Sequence, residues 1–176
     1  MSAFAVSQLL ASVAFACGVI GFQCKGRRTI LLWLACSAFA NAAHFFVLER
    51  PEAGTLFIIM GTRSIAASIS VHPRTMMTFM VLAVAGFLYT YESPVAILAI
   101  TATLLATYAS FQVDQKRIRL NYGMAAMIWI VHNALVKSPV ATVMEATLLT
   151  SNTIGYFRHR AEKPSEVSEP DAERIG

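Results

Sequence analysis

Seven apolar runs follow one another along the chain, at about 3–22, 29–48, 53–71, 75–90, 94–112, 120–136 and 139–157, with only short polar breaks between them. A helix needs roughly 20 mainly apolar residues to span the hydrocarbon core, within a range of about 17 to 25, and each run is close to that length. The breaks hold what the runs exclude. Lys25, Arg27 and Arg28 follow the first, Glu49-Arg50-Pro51-Glu52 the second and His72-Pro73-Arg74 the third. Glu92-Ser93-Pro94 closes the fourth, Asp114, Lys116, Arg117 and Arg119 the fifth, and Lys137-Ser138-Pro139 the sixth. Proline stops a helix and also suits the first turn of the next, so these are reversal points. Sorting of this kind is what a bilayer imposes, because a charged side chain at its centre costs at least about 2.5 to 3.5 kcal/mol.

Composition agrees. At 56% hydrophobic, 14% charged and a mean hydropathy of +0.58 over 176 residues, the chain is too apolar for a water-soluble domain. An all-α, polytopic membrane protein is expected, with seven transmembrane helices within 1–160 and the lipid bilayer as its first partner. The tail, 161–176, alternates acidic and polar residues and has nothing to bury, so it is expected to be disordered. Lys25, Arg27, Arg28, Arg74, Lys116, Arg117, Arg119, Arg158 and Arg160 fall on one side of the seven spans, against Arg50 and Lys137 on the other. The positive-inside rule makes the richer side cytoplasmic, which puts the N-terminus out and the tail in. The net charge of +4 is therefore an orientation signal and no argument for nucleic acid. Cys17, Cys24 and Cys36 form no C-x-x-C pair, and residues 1–8 lack the basic start of a cleaved signal.

The chain also repeats itself. Phe22-Gln23 returns as Phe111-Gln112, Arg28 as Arg117 and Leu31 as Leu120, all at an offset of 89. At an offset of 88, His44 answers to His132, Pro51 to Pro139, Ala53 to Ala141 and Thr62 to Thr150. One single-residue gap reconciles the two. The collinear order of these unlike residues predicts two three-helix copies, 3–71 and 94–157, joined by a linker helix, 75–90. A single linker span restores orientation, so the copies are expected to be parallel, with any binding site at their interface near the midplane.

Three spans, a linker and three more, N-terminus out, resembles the architecture of the SWEET sugar transporters and the related Pnu-type vitamin transporters. The first span lacks proline and Pro94 stands only at the edge of the fifth, a departure from the SWEET pattern. A closer similarity is to the YgjV-type family of bacterial inner-membrane proteins. His44-Phe45-Phe46-Val47-Leu48, Ala53-Gly54, Arg63, Trp129-x-x-His132-Asn133, Met144-Glu145, Asn152 and Arg158 carry it over most of the chain. That resemblance implies a multi-pass protein of the bacterial inner membrane.

Several polar residues lie inside the spans. Arg63 falls about 15 Å into the third by helical rise, near the middle of a core roughly 30 Å thick. Glu145, the acid well inside a span, is the candidate partner at about 9 Å from the outer end of the seventh. Either a structural ion pair between the triplets or a solute contact would account for them. Trp129, His132 and Asn133, at i, i+3 and i+4, share a helix face, with Asn41 and His44 as the plainer counterpart in the first copy. Asn152 follows Glu145 by two turns and corresponds to Ser64. No phosphate loop, H-E-x-x-H or readable nucleophile is present, so no enzyme and no cofactor are expected.

The function expected is a carrier or facilitator for a small polar or anionic solute. Its expected binding residues are Arg63, Trp129, His132, Asn133, Glu145, Asn152, Asn41 and His44. The alternatives are a non-transporting scaffold or accessory protein, and metal or haem ligation through His44 and His132; a homo-oligomer is compatible with each of these readings.

Overall fold

Many large aliphatic side chains lie on the outside of the molecule, and apart from Ile30, Leu31 and Ile118 the buried aliphatic residues are alanines. Leu9, Val13, Leu32, Val81, Leu88, Val131, Leu135, Val143 and Ile154 are exposed, whereas Ala14, Ala35, Ala42, Ala67, Ala102, Ala109 and Ala125 are buried. Water would enforce the reverse. Where lipid tails solvate leucine as well as a protein interior does, small side chains gather between helices because they let the backbones approach.

The computed structural model describes residues 2–49, 51–91, 93–135 and 137–160, which fold as seven helices with no strand among the described residues. They are α1 Ala3–Gln23, α2 Arg27–Val47, α3 Pro51–Ile69, α4 Pro73–Thr90, α5 Ala96–Ser110, α6 Gln115–Leu135 and α7 Pro139–Arg160. The all-α, seven-helix expectation is met. Arg50 and the tail 161–176 lie outside the described residues.

Local chemistry sets several boundaries. Ser2 Oγ accepts from the Ala5 amide at 3.2 Å, and His72 Nδ1 accepts from the Arg74 amide at 3.1 Å. Proline opens α3, α4 and α7, where its missing N–H costs nothing. Gly26 enters α2 with φ of +96°, a conformation that favours glycine. Glu49 and Lys137, 88 residues apart and each two before a proline, both adopt φ of 57°. One turn therefore reverses the chain in both places.

Two boundaries differ from the sequence expectation. The sixth helix starts at Gln115 rather than near 120, so Lys116, Arg117 and Arg119 belong to its first turns. The fifth, at 15 residues, is shorter than expected, because Ser93–Val95 form a turn before it. By length and apolarity alone only α1 and α2 qualify as spans; the apolar parts of α3, α4 and α5 are shorter. Of the polar side chains that dilute α6 and α7, Arg119, Asn133, Ser151 and Asn152 are buried against neighbouring helices.

In the first triplet α2 packs between α1 and α3, and in the second α6 packs between α5 and α7. Two seams join the triplets, α1 against α7 and α3 against α5, while α4 lies on α5 and touches α3. Arginines fasten both seams at the basic end. Arg27, from α2, donates through Nε to the Gln112 carbonyl at 2.7 Å, and through Nη2 to Ser110 at 3.0 Å and to Ala67. Arg119, from α6, donates to the carbonyls of Phe22 and Cys24 at 2.6 Å each. In each seam an arginine of one triplet caps the last turn of the other triplet's first helix, where carbonyls lack helical partners.

The α1–α7 seam is closed over the half nearer the basic end, where Gly18 meets Leu148. Ser151 Oγ donates to the Val19 carbonyl at 3.0 Å, and Gln23 Nε2 donates to Ser151 at 2.8 Å. Gly155 has no room for a methyl group, since one would run into the Phe22 carbonyl and the Arg119 guanidinium.

Candidate solute site

The α3–α5 seam is held apart where the α1–α7 seam is shut. A cavity of about 600 Å³ lies between the triplets, walled by α2, α3, α5, α6 and α7 and covered by α4. It reaches from Phe87, Ala96 and Ala141, near the helix ends away from the basic cluster, down to Arg63 and Thr107. Beyond them Arg27 ties Ala67 of α3 to Ser110 of α5 and closes the seam at the basic end.

Most of the lining is apolar: Phe45, Leu56, Phe57, Met60, Phe79, Leu82, Phe87, Ile100 and Trp129 all contribute. Polar groups are few. Arg63, Thr103, Thr107, Asn133 and Glu145 bring them, each from a helix interior, where the backbone holds the side chain in place.

Arg63 is 5% exposed. Its Nη1 donates to Thr107 Oγ1 at 2.8 Å, and that hydroxyl in turn donates to the Thr103 carbonyl at 2.8 Å. Nε of the same guanidinium is buried without an acceptor. Glu145 is half-buried in the same cavity, with no hydrogen bond or ion pair among the described residues. The two side chains expected to pair share one space without an ion pair between them.

Trp129 and Asn133 also line the cavity; His132 does not. It stands behind both, with Nδ1 3.2 Å from Asn133 Oδ1 and its ring edge-on to Trp129, centroids 5.1 Å apart. His132 thus orients two lining residues.

The other three expected residues lie elsewhere. His44 Nδ1 is 2.8 Å from the Ser7 carbonyl, which turns the ring towards α1 rather than inward. Asn41, one turn before it on α2, is half-buried outside the lining. Asn152 donates to the Arg119 carbonyl at 2.6 Å, at the basic end of the α6–α7 contact. Equivalent sequence positions do not share an environment here, because one seam is open and the other shut. Among the described residues no three His, Cys, Asp or Glu side chains gather into a possible metal site.

Two residues that matter were counted only as surface charges in the sequence. Arg27 and Arg119 lie at span ends, where topology signals normally sit, and nothing in their spacing marks Arg119 as buried or Arg27 as half-buried. The readable trace is Phe-Gln before each, the repeated C-terminal turn whose carbonyls they cap. The stacking of Phe45 on Phe57, centroids 5.4 Å apart, likewise has no signal in the sequence, which holds eleven phenylalanines.

Comparison with known proteins bears on the class. Residues 5–163 match the family model Imp-YgjV, described as a bacterial inner membrane protein. Inner membrane protein YgjV of Escherichia coli (strain K12) is 25% identical over 158 residues, covering 90% of this chain and 86% of that protein. No solved structure matches the chain.

Proposed function

The chain belongs to the Imp-YgjV family of bacterial inner membrane proteins, and we propose that within that membrane it is a carrier or facilitator for a small polar or anionic solute. The observation that carries this reading is Arg63: a guanidinium buried against an apolar cavity, with one hydroxyl partner and no carboxylate. Ionisable groups inside a membrane are costly, and those that persist mark pairs or solute paths. Arg63 has the cavity instead of a pair.

The placement supports transport over mere packing. The cavity lies between two three-helix units and reaches towards one end of the bundle, while Arg27 seals the other. With the basic end cytoplasmic, this is an outward-facing carrier. Rocking of the triplets about the closed α1–α7 seam would break the Arg27 bonds to α3 and α5 and expose the cavity inward.

The test is uptake by the full chain in proteoliposomes over a panel of organic acids, amino acids and sugars, with Arg63→Ala alongside. At least one solute should enter, and Arg63→Ala should cut that flux by about tenfold or more, the loss of one charge-assisted hydrogen bond. No flux for any solute, or flux indifferent to Arg63→Ala, favours a non-transporting scaffold or accessory protein.

A further inference from the structure

The polar atoms of the cavity are few and unevenly placed, and their placement narrows what can bind. One part of the wall is aromatic, the stacked pair Phe45 and Phe57. The positions 88 residues further on are Asn133 and Glu145, which also line the cavity. Where the first triplet presents two rings, the second presents an amide and a carboxylate. Arg63 lies at the deep end with its Nε unsatisfied.

A basic and an acidic side chain therefore share one cavity, with no ion pair between them and no other ionisable partner for either among the described residues. Leaving a buried charge uncompensated is expensive. A simple anion would answer Arg63 and leave Glu145 alone with it; a simple cation would do the converse. A sugar would answer neither charge and would set its hydroxyls against phenylalanine rings.

We propose that the cavity binds a zwitterionic solute with an apolar body, its carboxylate on Arg63, its ammonium on Glu145 and Asn133, and its body against Phe45 and Phe57. This inference rests on the reading of the cavity as a solute site and names the class that site takes. The volume of about 600 Å³ lies within the usual range of small-molecule sites, about 300–1,000 Å³.

The test is equilibrium binding to the purified full chain in lipid nanodiscs, by calorimetry, with L-phenylalanine, phenylacetate, 2-phenylethylamine and glucose. L-phenylalanine should bind at least about tenfold more tightly than either single-charge analogue, the usual effect of one charge-assisted contact, and more tightly than glucose. Glu145→Gln should erase the advantage over phenylacetate, and Arg63→Gln the advantage over 2-phenylethylamine. The analogue series on the native chain decides the matter even if a variant folds poorly. No binding of L-phenylalanine, equal or tighter binding of either analogue or of glucose, or preferences unmoved in both folded variants overturns the proposal. Binding without flux into proteoliposomes keeps this inference and removes the carrier. Flux of a sugar or simple anion, with L-phenylalanine neither bound nor competing, keeps the carrier and removes this inference.

Discussion

The α1–α7 and α3–α5 seams draw on corresponding positions of the two triplets and use them in opposite ways. Ser151 and Gly18 lie on the first; Arg63, 88 residues before Ser151, and Thr107, 89 after Gly18, lie on the second. Serine and glycine let α7 and α1 come close enough for Ser151 to reach the Val19 carbonyl. Arginine and threonine in the same places put a long cationic side chain between α3 and α5, where its head ends in a cavity. Small residues make a joint and a large basic one borders a cavity, on helices with the same order and turns.

The strongest test of that contrast is stability at the two arginines. Arg119→Ala removes two charge-assisted bonds that pin α6 to α1 and leaves two carbonyls orphaned, a loss of about 3 kcal/mol or more. Arg63→Ala removes one hydrogen bond beside existing empty space and should cost only about 1 kcal/mol while weakening solute binding by about tenfold or more. Equilibrium unfolding in mixed micelles ranks the two. Equal losses would mean that the α3–α5 seam is as structural as the other.

Smaller changes sharpen the same point. Ser151→Ala should destabilise by about 1 kcal/mol, through its bonds to Val19 and Gln23, and leave binding unchanged. Thr107→Val keeps the shape and takes away the acceptor of Arg63, so binding should change more than stability. If Ser151→Ala alters solute affinity and Thr107→Val does not, the roles of the seams are reversed.

The smallest effect concerns the shared turn. Glu49→Gly and Lys137→Gly each relieve a left-handed backbone and should raise stability by a few tenths to about 1 kcal/mol. Both gains, read from the same unfolding curves, should have one sign. Opposite signs would separate the two turns that the common φ unites.

Much of the fold was legible in the chain because the bilayer simplifies the code: apolar length gives spans, prolines give reversals, and charge marks their ends. The helix count and the bounds of α1, α3 and α4 came within a few residues this way. The start of α6 did not, since Lys116, Arg117 and Arg119 resemble a loop until their partners on other helices are known. Of the site, Arg63, Glu145, Trp129 and Asn133 stood out as polar or amphipathic groups in oily surroundings, and all four line one cavity. His44, Asn41 and Asn152 stood out for the same reason and lie elsewhere. A buried polar side chain shows that a partner is needed without showing which helix supplies it.

What the sequence determined by itself was the class: an all-α chain of seven helices with a doubled order of turns, fixed by local preferences and by the cost of charge in hydrocarbon. The tertiary structure decided which seam closes. That choice rests on interhelical fit, glycine and serine allowing contact on one side and arginine with threonine preventing it on the other, and such fit exists only between segments far apart in the chain. It is also what left Arg63 and Glu145 in one cavity, each without the other.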